Sequence, residues 1–164
     1  MNLKAVMVFV VVLVFNSMAI TSTQAKTGYH VGDTAANFSL KTLHNKKVSL
    51  TQLRQKGYVL LVFWAVDCVY CYSHIKEFNA LHEQYHAKGL TVAAINIAGE
   101  YDIEVAEYAK ENNLKYLLLS DRLNNIDVAE AYHIVGTPTM VLVSPEGKIV
   151  YYGYDIPEVG KWLK

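Results

Sequence analysis

The only two cysteines of the 164-residue chain lie in the stretch Asp67-Cys68-Val69-Tyr70-Cys71. Two thiols at this spacing can form a redox pair, supply half of a metal site, or fill a core as small hydrophobes. A cysteine zinc site needs a second pair of thiolates, and the chain has none to offer. A purely structural disulfide across so few residues constrains the unfolded chain very little. Two buried free thiols would leave the position of the pair unexplained. Reversible dithiol–disulfide exchange needs this spacing and, in addition, a way to stabilise thiolate.

The elements around the pair supply that stabilisation. Tyr58-Val-Leu-Leu-Val-Phe-Trp64 is a continuous β-branched and aromatic run, which predicts a buried central strand. From Cys71 onward Ile75, Phe78, Leu81 and Tyr85 recur at helical spacing, and Gly89 supplies the stop. The cysteines therefore fall where the strand ends and its helix begins. A cysteine at a helix N-terminus faces unpaired backbone N–H groups and the positive end of the helix dipole, and both favour thiolate. Cys68 holds that position and is the expected nucleophile. Cys71, one turn further in, is the resolving thiol. Asp67 works against the Cys68 thiolate and so makes the pair more reducing, while Val69 and Tyr70 between the cysteines tune its potential.

Further strands are predicted at Thr91–Ile97 and Tyr116–Leu119, and a hairpin at Thr139–Val143 and Lys148–Tyr152 around Ser144-Pro-Glu-Gly147. Helices are predicted at Asp102–Asn113, Ile126–Tyr132 and Pro157–Leu163. In the first of these Asp102 is the expected N-cap, with Ile103, Ala106 and Ala109 turned inward and Val105 a further candidate. This order implies an α/β fold, a central mixed sheet with helices on both faces. Sites of open α/β sheets lie at strand carboxyl ends, where the cysteines are placed. Formal net charge is zero, which removes the electrostatic case for a nucleic-acid partner.

Residues 1–25 differ in kind. One basic residue, Lys4, precedes a 16-residue apolar stretch and a small-x-small ending at Thr23-Gln24-Ala25. The stretch is short against the roughly 20 residues of a spanning helix. It predicts a signal peptide cleaved after Ala25, with an uncleaved anchor as the alternative. The domain at 26–164 is then expected in the periplasm or cell envelope, where thiols can be oxidised.

The motifs bring a family into view. His30-Val-Gly-Asp-Thr-Ala-Ala-Asn-Phe-Ser-Leu40, Lys46-Lys-Val-Ser-Leu-Thr-Gln-Leu53, Phe63-Trp-Ala-Val-Asp-Cys-Val-Tyr-Cys71 and Val135-Gly-Thr-Pro-Thr-Met-Val-Leu-Val-Ser-Pro-Glu-Gly-Lys-Ile-Val150 carry the match. Over residues 30–154 the chain resembles the TlpA/ResA-type thiol:disulfide oxidoreductases of the thioredoxin superfamily, within the AhpC/TSA-Redoxin grouping. The resemblance implies a thioredoxin fold with an N-terminal extension. It implies Cys68 as nucleophile, Cys71 as resolver and Pro138 as a cis-proline facing the disulfide. Thr137 would then offer its backbone to a substrate strand, with Trp64, Tyr70 and Pro138 completing the substrate-binding set. Glu100, after the second strand, matches a glutamate found near the site. Protein dithiol or disulfide substrates and a membrane or soluble thiol electron donor are the implied partners of a monomeric reductant. Membrane contact is expected only through an N-terminal anchor. No bound cofactor is expected beyond the redox-active disulfide, and no metal. The chain departs from the family pattern at Ala35-Ala36, Asp67 and Tyr70, and Val62 stands where relatives carry a buried polar residue.

Three rival readings remain. His82-Glu-Gln-Tyr-His86 matches the H-E-x-x-H zinc hydrolase motif, but the third histidine of the longer form falls on Val92, and His82 lies beside the core stripe. A peroxidatic cysteine is preceded by proline and threonine at positions that are Leu61 and Ala65 here. A copper(I)-binding or chaperone module would use the same thiolates, without a Met-rich or His-rich tract to support it.

Overall fold

A computed structural model describes residues 26–163, residue 123 excepted. The signal-peptide expectation lies outside the described residues. The elements in chain order are β1 (Thr27–Gly28), β2 (Thr34–Ala35), β3 (Ser39–Lys41), β4 (Lys47–Ser49), α1 (Leu50–Arg54), β5 (Tyr58–Trp64), α2 (Val69–Ser73), α3 (Ile75–Tyr85), β6 (Leu90–Asn96), α4 (Asp102–Glu111), β7 (Leu117–Leu119), α5 (Asn125–Ala131), β8 (Thr139–Val143) and β9 (Ile149–Gly153).

Five strands form the central sheet in the order β7-β6-β5-β8-β9. β5 pairs parallel with β6 and antiparallel with β8; β6–β7 is parallel and β8–β9 antiparallel. Successive side chains of a strand point to opposite faces. Val59, Leu61 and Phe63 enter one core with Ala93, Ile95, Val141 and Val143, while Leu60, Val62 and Trp64 enter the other with Val92, Ala94, Met140 and Leu142. Both faces are buried, so β5 reads as an unbroken apolar run rather than an alternation. Leu50 and Leu53 of α1, Val128 of α5 and the adjoining Tyr132 cover the first face. Phe78 of α3 and Val105 of α4 cover the second, together with Cys71.

The helix predicted after the cysteines is two segments, broken at His74. Its end is as expected: Gly89 takes φ 89° after a short 3₁₀ turn. The α4 reading needs two corrections. Tyr101, not Asp102, is the N-cap; its N–H donates to Glu104 Oε2 at 2.7 Å, and Asp102 Oδ1 accepts instead from Ser120 Oγ at 2.6 Å. Val105 is fully buried and Ile103 is 65% exposed. The inward face is therefore set by Val105 and Tyr108, three residues apart, not by Ile103. The last predicted helix is a 3₁₀ turn at Val159–Lys161.

β5 and β6 start side by side because two glycines let their lead-in segments touch. Gly57 has φ 133°, and a Cβ there would collide with the carbonyl oxygen of Gly89 and lie 2.9 Å from its carbonyl carbon. Gly57→Ala is expected to destabilise the protein by about 1–3 kcal/mol from backbone strain, before any cost of the clash. Urea unfolding midpoints of the two proteins check this, and an unchanged midpoint would contradict it.

Candidate active site

The central strand delivers the cysteines. The Ile97 N–H donates to the Trp64 carbonyl at 3.0 Å, closing the last parallel contact of β5. The chain then turns, and Cys68 becomes the N-cap of α2. Its Sγ accepts from the Cys71 N–H at 3.1 Å, and its carbonyl accepts from the Tyr72 N–H at 3.0 Å. The N–H aimed at Cys68 Sγ is the donor a thiolate there requires. Cys68 and Cys71 are joined as a disulfide, with an S–S distance of 2.12 Å and Cα atoms 5.2 Å apart. Cys71 is buried and Cys68 half-buried, so an external sulfur reaches Cys68 first.

The Thr137–Pro138 peptide bond is cis. Thr139 pairs with Phe63 in the β5–β8 register, so Pro138 lies one step beyond, at the sheet end where Trp64 leads to the cysteines. Pro138 is buried and Thr137 half-buried. Glu100 also arrives here: its Oε1 accepts from the Val66 N–H at 2.7 Å, two residues before Cys68. Its Oε2 is buried and has no hydrogen-bond partner among the described residues.

The substrate-binding set divides. Tyr70 is 74% exposed and free to meet a partner, but Trp64 is only 4% exposed. The Trp64 side chain points into the core beneath the disulfide and packs on Tyr108 with ring centroids 5.4 Å apart. Its contact is with the cysteine pair's support, not with substrate, because the last strand position falls on the core face. Val62 is 2% exposed in that same core. Sequence reasoning passed over Tyr108 and Tyr116, which line the small space next to Cys71. The signal was present in the three-residue spacing of Val105 and Tyr108.

The histidine motif does not assemble a metal site. The His82 and His86 rings lie 4.9 Å apart, but Glu83 pairs with Lys115 instead. That ammonium holds the Glu83 carboxyl below its usual range. Among the described residues, no cluster of three or more histidine, cysteine or acidic side chains is placed to hold a metal ion.

A sheet of this order, with a disulfide at the end of its central strand and a cis-proline beside it, defines a thiol–disulfide exchange protein of the thioredoxin fold. The chain belongs to the AhpC/TSA family, whose sequence profile matches residues 31–152. It is 31% identical over 125 residues to the thiol-disulfide oxidoreductase ResA of Bacillus cereus, covering 76% of this chain and 70% of that protein. It is 32% identical over 132 residues to the thioredoxin-like protein YneN of Bacillus subtilis, covering 79% and 74% of the two chains. Among solved structures, the thioredoxin domain of a thiol-disulfide oxidoreductase from Bacteroides vulgatus superposes with a TM-score of 0.74 at 25% identity, over 82% of this chain and 99% of that one. Family, relatives and disulfide together make the chain a thiol–disulfide oxidoreductase.

Proposed function

We propose that the chain is an exported reductant of disulfides in other proteins. The observation that carries this is the half-buried Cys68, bonded to a buried Cys71 and set among exposed apolar side chains. Val69 is 77% exposed, Tyr70 74% and Tyr72 59%; Val135, in the loop before Pro138, is 72% exposed. Exposed apolar surface of this kind fits a protein segment better than a small polar disulfide.

In the reduced protein the Cys68 thiolate attacks one sulfur of a substrate disulfide and displaces the other as a thiolate. Cys71 then attacks Cys68 Sγ, reforms the Cys68–Cys71 bond and releases the second substrate thiol. Two electrons and two protons have passed to the substrate, and an external dithiol restores the enzyme by the reverse exchange. No bound cofactor enters these steps, since the electron pair travels in the sulfur–sulfur bond. The signal-like composition of residues 1–25 supports export to the periplasm or cell envelope. Among the described residues, no helix is long and apolar enough to cross a membrane.

Glu100 is the proton-handling group in this reading, supported by its bond to the Val66 N–H and its second, unpartnered oxygen. Glu100→Gln keeps an acceptor for Val66 and loses the charge, so reduction should slow about 10-fold, with the change concentrated in the pH–rate profile. An unaltered profile would make Glu100 structural only. The function itself is tested by comparing turnover of a protein disulfide, a small aliphatic disulfide and hydrogen peroxide. The protein disulfide should be turned over fastest. Peroxide should be slow, because Leu61 and Ala65 supply neither the proline nor the threonine of a peroxidatic site. Preferential peroxide turnover would overturn the proposal.

A further inference from the structure

Beside Cys71 lies a small, partly open space of about 10 Å³, room for the centre of one water molecule. Val62, Ile75, Phe78 and Leu114 give it apolar walls, and Cys71, Trp64, Tyr108 and Tyr116 are the lining residues that carry a polar group. Trp64 is 4% exposed, and its Nε1–H is buried with no hydrogen-bond partner among the described residues. The Tyr108 hydroxyl is in the same condition. Buried donors are costly to leave unpaired, and these two belong to residues that line one water-sized space. Dispersion between the tilted rings explains their contact but leaves both polar hydrogens unexplained.

We propose that this space is a water site serving the resolving cysteine: one water accepts from Trp64 Nε1–H and Tyr108 Oη–H and donates to Cys71 Sγ. The inference rests on the dithiol-exchange reading above. A water that accepts two hydrogen bonds is polarised as a donor. Its free hydrogens then stabilise the Cys71 thiolate that must form before Cys71 can attack Cys68 Sγ. No bond is made or broken by the water, and the Cys71 proton passes through Glu100, the proton-handling group above, to the departing substrate thiolate. Val62 and Phe78 leave the space beside buried Cys71 with apolar walls, and apolar burial without a donor disfavours a thiolate.

The titratable groups bordering the space are Cys71, Tyr108 and Tyr116. Burial raises the Tyr108 hydroxyl above its usual range, with a smaller push from Tyr72. Burial also raises Tyr116, with a smaller push from Tyr108. Both phenols stay neutral at physiological pH, and Tyr108 keeps the hydrogen it donates. Tyr108 and Trp64 are thus positioning residues, acting on Cys71 through the water.

The test is a high-resolution crystal structure of the reduced protein, together with titration of Cys71 followed by ¹³Cβ chemical shift in wild type, Tyr108→Phe and Trp64→Phe. The expected structure holds one ordered water within hydrogen-bond distance of Trp64 Nε1, Tyr108 Oη and Cys71 Sγ. The expected titration midpoint of Cys71 rises by about one pH unit in Tyr108→Phe, a ~10-fold loss of thiolate at a given pH. Resolution of a preformed mixed disulfide should slow by a similar factor, while the first attack by Cys68 keeps its rate. An empty space in the wild-type crystal, or a Cys71 midpoint unmoved in Tyr108→Phe, overturns the water site. If the first attack itself is absent from wild type, it is the exchange reading that falls. Trp64→Phe removes the other donor, so a folded Trp64→Phe protein checks the same midpoint if Tyr108→Phe does not fold.

Discussion

Replacing Cys68 by serine is expected to reduce disulfide turnover to the uncatalysed level, a loss on the order of 10³-fold or more. Cys71→Ser is expected to fail differently. Cys68 is half-buried and its Sγ receives the Cys71 backbone N–H, a donor that the serine variant retains. The first attack therefore proceeds, and the reaction halts at the mixed disulfide because no second thiol can release it. One equivalent of substrate thiol should appear in a burst, with the substrate left covalently bound to Cys68. Mass spectrometry of the quenched reaction reads this directly. Equal trapping by both variants, or trapping on Cys71 in Cys68→Ser, would reverse the assigned roles.

The largest expected effect on stability is at Tyr132. It is fully buried, packs on Phe63 with centroids 5.5 Å apart, and donates its hydroxyl to the Ala36 carbonyl at 2.7 Å. It thereby ties the segment before the first hairpin to the rear face of the central strand. Tyr132→Ala is expected to cost about 3–5 kcal/mol, a large part of the roughly 5–15 kcal/mol that holds a domain together. Tyr132→Phe keeps the ring and strands the carbonyl, at a cost of about 1–2 kcal/mol. Burial also lifts the Tyr132 hydroxyl well above its usual range. Above about pH 10 the unfolded chain then releases a proton that the folded chain keeps, so stability falls as pH rises. Tyr132→Phe should flatten that decline. Denaturant midpoints across this pH range test both statements, and a Tyr132→Ala cost below about 1 kcal/mol would contradict the packing account.

Much of this arrangement was legible in the residues. β5 announced itself because a strand buried on both faces needs no polar alternation, and the cysteine spacing at its end carried the chemistry. Gly89 marked a helix stop that only a left-handed residue makes cheaply. Pro138 and Glu100 were reached through the family resemblance, and the fold brings both to the end of β5. Where reading failed, the cause was rotational phase. In α4, Ile103 and Val105 are both plausible inward residues, and only packing into the second core decides between them. Asp102 is a better N-cap residue than Tyr101 by type, yet Glu104 caps Tyr101's N–H and Ser120 claims Asp102. The resemblance assigns Trp64 to substrate, whereas both faces of β5 are buried and its last side chain enters the core. Tyr108 went unnoticed because its role depends on a space lined by residues of four separate elements.

The most direct test of the central claim is the redox equilibrium of the Cys68–Cys71 pair. The protein is brought to equilibrium with thiol buffers of graded potential, quenched, and its free thiols counted. A reversible, two-electron transition with a midpoint at about −270 mV or lower is the result expected for a thioredoxin-like reductant. A midpoint near about −120 mV would make the protein an oxidant and contradict the proposed direction, and the absence of any reversible transition would contradict dithiol exchange itself.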